Sequence, residues 1–264
     1  MGYEATELLL KCDADDYAML ISQIDSYVNF SSDTELKELL TRYRSDPNTN
    51  NKVLLAKAVE REIRYVGSAD VAYVFRKIFK EEEPAGVSMR EIIDNVSVKL
   101  KVKQKQLGGI EARLERLVRL AAEKTFLSMS PEQQRKLFEE SGIGREQQNE
   151  FFNRLKDNKT ALLPLLMSVL GPEITVKLVQ GLAVLAISQF IGKEAAKKLI
   201  EQLATKFPWW SNWLGPIVWG LSLSWLAFDL QGAANRKTIP IILYLGLVGL
   251  RDGPEAGDDF WSED

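Results

Sequence analysis

Pro208–Phe228, PWWSNWLGPIVWGLSLSWLAF, is a run of 21 residues without a formal charge, and it holds every tryptophan of the chain except Trp261. Two further uncharged runs flank it, Leu178–Gly192 and Thr238–Leu250. The last hundred residues therefore read as three apolar helices joined by short basic or turn segments. A hydrocarbon span needs about 20 residues, which the central run just meets and the other two do not. Phe207, Trp209, Trp210 and Trp213 gather at its entrance, where half-apolar indoles suit a membrane interface. Within the run, Ser211 with Gly215 and Gly220 with Ser224 are small residues four apart, a spacing that lets helices approach closely in lipid or in a tight core.

The helix before this run is apolar nearly all round, with Val176, Val179, Leu182, Ala183, Leu185, Ala186 and Phe190 between Pro172 and Ile191. Such a helix must be enclosed. Next, Lys193 to Lys206 sets Lys193, Lys197, Lys198 and Lys206 against Ala196, Leu199, Ile200 and Leu203. Beside a bilayer these lysines favour an anionic surface; beside water they form an ordinary exposed face. From Glu173 to Arg251 there are eight basic and four acidic residues, a local +4. Lys197, Lys198, Trp209, Trp210, Trp213 and Trp219 are the candidate contacts to a membrane or partner.

Upstream, helix signals recur and strand signals do not. Asp13 caps a helix carrying Tyr17, Leu20, Ile21 and Ile24 on one face. Asp33 opens a second, and Lys52–Val66 forms a third that stops at Gly67. Ser68 caps Ala69–Lys80, and the break Glu81-Glu82-Glu83-Pro84-Ala85-Gly86 is the clearest linker. Two capping boxes follow, Ser88 with Glu91 and Ser130 with Gln133, the second with Pro131 in its first turn. Gly109–Leu127 places Ile110, Leu114, Leu117, Val118 and Ala121 opposite Glu111, Arg113, Glu115, Arg116 and Arg119, so its charged side is expected to face solvent. The expected fold is an all-α multi-helix bundle with an apolar, Trp-rich C-terminal helical hairpin. Its parts are an amphipathic region at 1–83, a charged middle region at 87–160, the apolar module at 161–251 and an acidic, solubilising tail at 252–264.

Composition removes several functions. There is no histidine, which excludes Ser-His-Asp and Cys-His nucleophile systems and imidazole metal sites. The single cysteine, Cys12, cannot form an intrachain disulfide and reads as a buried, inert thiol. With 34 basic and 37 acidic residues, the chain has no nucleic-acid footprint. The Asp13, Asp15, Asp16 cluster lacks the glycine and distal glutamate of an EF-hand. Gly142 and Gly144 lack the lysine and hydroxyl of a P-loop. Neither cofactor nor metal is expected, and no catalytic residue is assigned. The N-terminus has no cationic flank before its short apolar stretch, so a cytoplasmic protein is expected, peripheral to or inserted in the inner membrane.

Gly215-Pro216-Ile217-Val218-Trp219, then Trp225, Asp229 and Arg236-Lys237-Thr238-Ile239-Pro240, closing with Leu250-Arg251, resembles the C-terminal signature of the YaaW family of uncharacterised bacterial proteins. Asp94–Lys101 and Leu162–Leu166 resemble the family more weakly, and Asn235 stands where the family tends to carry tyrosine. The family is grouped with ubiquinol-cytochrome c chaperones, which implies a non-enzymatic chaperone or assembly role and gives no catalytic residue to carry over. Within the signature, Pro240 fits the first turn of the last helix with Thr238 as its cap. Asp229 and Arg236 are expected to pair across a bend at Gly232 and, with Pro240, to lock the hairpin. Two functions follow: an assembly factor touching a membrane or membrane-bound client, or a soluble module whose apolar C-terminal helices are its core and whose charged helices bind a protein partner. A conditionally inserting, pore-forming effector is a stronger form of the first. The oligomeric state is left open.

Overall fold

Ile110–Ser128 is the axis of the protein, and the reason lies in what surrounds it. The computed structural model describes residues 2–24, 30–68, 87–157, 162–206 and 233–254. Among these there are twelve α-helices, one short 3-10 turn and no strand. In chain order they are α1 (Thr6–Leu9), α2 (Ala14–Ile24), α3 (Phe30–Ser45), α4 (Thr49–Val66), α5 (Met89–Leu100) and α6 (Ile110–Ser128). Then come α7 (Pro131–Glu140), α8 (Arg145–Asp157), α9 (Leu162–Leu170), α10 (Pro172–Ile191), α11 (Lys193–Lys206) and α12 (Ala233–Gly249), followed by the 3-10 turn Leu250–Asp252. The fold is all-α.

Helices α6, α10 and α12 pack against one another and form the centre. Their composition explains it: α12 buries Ile239, Ile241, Ile242, Leu243, Tyr244, Leu245, Leu247 and Val248 in near-continuous sequence, a pattern only a helix enclosed on all sides can satisfy. Gly246 makes the closest approach. A Cβ placed there falls 2.6 Å from the Leu114 carbonyl oxygen, so glycine lets the α12 and α6 backbones nearly touch. Around this centre, α5 lies on α6 and α12; α1, α2 and α4 lie on α12; α3 covers α2 and α4; and α11 covers α10. At the far end α8 packs on α9, and α9 on α10. One hydrophobic cluster runs from Ala5 to Leu250.

Local chemistry sets the helix ends. Both expected capping boxes form: the Ser88 hydroxyl accepts from the Glu91 amide and Ser130 from that of Gln133, with the reciprocal glutamate and glutamine bonds in place. Asp13 accepts from the amides of Asp15 and Asp16, as a cap for α2 should. Helix α5 ends with Lys101 left-handed at φ 53°, the Val102 amide donating to the Ser97 carbonyl, and Lys124 of α6 closing the Leu100 carbonyl. Burial, then the nearby Lys101 charge, pull the Lys124 ammonium below its usual value.

Several expectations are corrected. Helix α3 begins at Phe30, so Asp33 lies inside it. Helix α4 begins at Thr49, three residues before Lys52, because the Asn48 side chain caps it through the Asn51 amide. Leu54 points outward and is exposed while Leu55 is buried. Helix α12 starts at Ala233, which puts Pro240 in its interior and leaves Thr238 no capping role. The missing Pro240 N–H forgoes one helical bond to the Arg236 carbonyl, a loss offset by burial of the residues around it. The charged side of α6 is not solvated: Arg113, Glu115, Arg116 and Arg119 are all buried. Arg113 donates to the Gln106 carbonyl and lies 3.6 Å from Asp94, and Arg116 donates to the Leu107 carbonyl. These arginines satisfy the carbonyls of the loop entering their own helix.

Candidate functional site

The expected contact surface is described in part. On α11, Ala196, Leu199, Ile200 and Leu203 are buried, and Lys197 and Lys198 are exposed. Lys197 lies 3.9 Å from Glu201, an exposed pair worth under about 1 kcal/mol. The lysine face is thus anchored from beneath and open to solvent. Trp209, Trp210, Trp213, Trp219, Trp225, Pro216 and Asp229 lie outside the described residues, as do the small-residue pairs of that run, the segment 69–86 and the tail from residue 255. The backbone of Arg236 belongs to α12 and Pro240 is buried within it.

Helix α10 is 20 residues long and apolar enough to cross a membrane by length and composition, and it alone among the described residues meets that test. Of its most apolar window, 72 % is buried inside the bundle. Gln180, midway along it, donates to the Leu250 carbonyl at 3.0 Å. A helix so used is a core element of this fold.

A buried polar junction ties the start of α2 to α12 and the 3-10 turn that follows it. Asp16 has no exposed surface. Its carboxylate accepts from the Tyr244 hydroxyl at 2.7 Å, from Arg251 Nη2 at 2.9 Å to both oxygens, and from the Asp13 amide at 2.8 Å. Burial, reinforced by the Asp16 charge, pushes the Tyr244 phenol well above its ordinary value. Burial works against the Arg251 charge, but the Asp16 carboxylate outweighs it and holds the guanidinium above its usual value. A second buried carboxylate, Glu60, accepts from the Glu4 and Ala5 amides and the Thr6 hydroxyl and so caps α1 from another helix. In turn Glu4 accepts from the Met89 amide at the start of α5. Both junctions consume their carboxylates in structural bonds. Cys12 is buried, as expected.

The third feature was not anticipated. Where α6, α7 and α8 meet, Phe126, Phe138, Phe151 and Phe152 form a cluster with ring centroids 4.9–5.8 Å apart. Beside it opens a cleft of about 460 Å³. Leu127, Pro131, Phe152 and Leu155 give it an apolar floor, and Gln134, Arg135 and Lys156 are its polar groups. The Arg135 guanidinium lies 4.6 Å from the centre of the Phe152 ring, within cation–π range. Gln134 is fixed by donating to the Phe126 carbonyl at 2.9 Å. Leu127 is 52 % exposed although its neighbour Phe126 is fully buried. In the sequence, the only trace of this site is a leucine at the solvent edge of a helix followed by the capping box of the next.

Comparison with protein-family models, with curated proteins and with solved structures gives no match to this chain. Among the described residues no three acidic or cysteine side chains converge where they could hold a metal ion.

Proposed function

We propose that the protein acts by binding rather than by catalysis, as a helical chaperone- or assembly-factor-like protein. Its apolar helices α10 and α12 serve as its own core. Its contact surface toward an anionic membrane or a membrane-bound client is the lysine face of α11 leading into the tryptophan-bearing segment 207–232. The observation that carries this reading is the combination on α11: a buried apolar face beneath exposed Lys197 and Lys198, directly preceding a 21-residue uncharged run. The burial of α10 favours a folded bundle that meets the membrane at its surface over one that inserts that helix. The C-terminal signature resembling the YaaW family is the source of the assembly-factor reading.

Co-flotation of the full-length chain with anionic and neutral liposomes tests the proposal. Flotation with anionic vesicles is expected, lost in Trp209→Ala/Trp210→Ala/Trp213→Ala and weakened in Lys197→Glu/Lys198→Glu. A chain that stays at the bottom of the gradient with both lipids overturns the membrane reading and leaves the soluble protein-interaction module, for which the enclosed α10 and α12 already supply a core.

A further inference from the structure

The cleft at the junction of α6, α7 and α8 selects a ligand class. Its floor is apolar, and a cavity of about 460 Å³ falls in the range of about 300–1,000 Å³ usual for small-molecule sites. Its two cations are uncommitted: neither Arg135 nor Lys156 forms an ion pair among the described residues, whereas the nearby Lys136 and Arg154 lie within ion-pair distance of Glu140 and Glu150. The Arg135 guanidinium lies over the Phe152 ring, 4.6 Å from its centre, at the wall of the cleft. A planar fork so placed matches a carboxylate. Leu127 supplies apolar surface that the fold leaves half open.

We infer that this cleft binds a single-chain amphiphilic anion, with the apolar chain along Leu127, Phe152 and Leu155 and the carboxylate head between Arg135 and Lys156. At roughly 30 Å³ per non-hydrogen atom, the share of a water molecule in the liquid, the volume holds about 15 such atoms. With two of those atoms the carboxylate oxygens, the volume takes a straight-chain carboxylate of up to about thirteen carbons, decanoate included. The site is separate from the α11 surface, so it stands or falls independently of the function proposed above.

Titration calorimetry of the full-length protein with decanoate and with decanol, each below its aggregation limit, tests the assignment, and amide shifts in a labelled sample locate the site. Decanoate is expected to bind one to one with shifts centred on Leu127, Gln134 and Leu155, and about tenfold or more tighter than decanol. Arg135→Gln/Lys156→Gln is expected to bring decanoate down to the level of decanol, and Leu127→Asp to weaken both. These three side chains are exposed, so the melting temperature should hold in every variant and separate lost binding from lost folding. Equal affinity for acid and alcohol, an unchanged double variant, shifts centred on other helices, or no binding at all would each overturn the inference.

Discussion

Replacing Gly246 by alanine is expected to lower the melting temperature by about 4–8 °C, the reverse of what the same change does on an exposed helix. There, alanine stabilises by up to about 1 kcal/mol relative to glycine. At Gly246 the new Cβ falls 2.4 Å from Val118 Cγ2 and 2.6 Å from the Leu114 carbonyl oxygen. The valine methyl can move; the oxygen belongs to the backbone of the central helix α6, so α12 must be pushed away from it. Overpacking of this kind costs about 1–3 kcal/mol, and a backbone obstacle in the main helix contact places it near the upper end. Setting the propensity gain of about 1 against about 3 leaves about 2 kcal/mol net. At about 2–4 °C per kcal/mol for a chain of this size, that is the stated shift. Gly249→Ala is the control, because its Cβ meets glutamate side-chain atoms at 3.2–3.3 Å rather than backbone, and a much smaller change is expected. Thermal melts followed by circular dichroism, with urea midpoints alongside, measure all three proteins. An alanine variant as stable as the parent, or full rescue by adding Val118→Ala, refutes the backbone contact as the cause.

Arg251→Ala is expected to destabilise by about 2–3 kcal/mol, below the 3–5 typical of a fully buried pair, because the Arg251 side chain keeps 23 % of its surface exposed; a double-mutant cycle with Asp16→Ala should show strong coupling, and additive effects would dismiss the junction. The raised Tyr244 phenol contributes stability that is complete below its unfolded value near pH 10 and is lost as pH rises toward its folded value. The free energy of unfolding, followed from pH 8 to 11, should therefore fall less steeply above pH 10 in Tyr244→Phe than in the parent, by up to about 1.4 kcal/mol per pH unit, and identical slopes would contradict it. Ser88→Ala should cost about 1 kcal/mol through loss of its capping box, read as a lower urea midpoint at unchanged slope.

What the chain reveals locally, it reveals well. The capping boxes at Ser88 and Ser130 and the cap at Asp13 are visible because cap and partner sit two or three residues apart. The apolar stripes of α2 and α5 are visible because Tyr17, Leu20, Ile21 and Ile24, or Ile92, Ile93, Val96 and Leu100, repeat at helical spacing and are all buried. The failures share one cause. Arg113, Glu115, Arg116 and Arg119 look solvated in the α6 sequence, and only their placement at the centre of the bundle buries them. Asp16 reads as one member of an Asp13, Asp15, Asp16 cluster that lacks the features of an EF-hand, while the partners that make it a junction lie 228 and 235 residues away. Pro240 looks like a first-turn proline, yet its helix starts at Ala233 and carries the proline in its interior. The cleft needs three helices to meet, and Arg135 and Lys156 carry no local pattern that marks them.

The Asp16 junction also sets a clock on biosynthesis. Arg251 is added 235 residues after Asp16. At about 5–20 residues per second, that interval lasts about 12–47 s. Throughout it the nascent chain carries the surfaces of α1, α2 and α4 that finally rest on α12, with no native partner yet made for them. A chain abandoned by a stalled ribosome before Tyr244 keeps those surfaces uncovered and its Asp16 carboxylate without its tyrosine and arginine. Closure of the fold therefore waits for the synthesis of Tyr244 and Arg251.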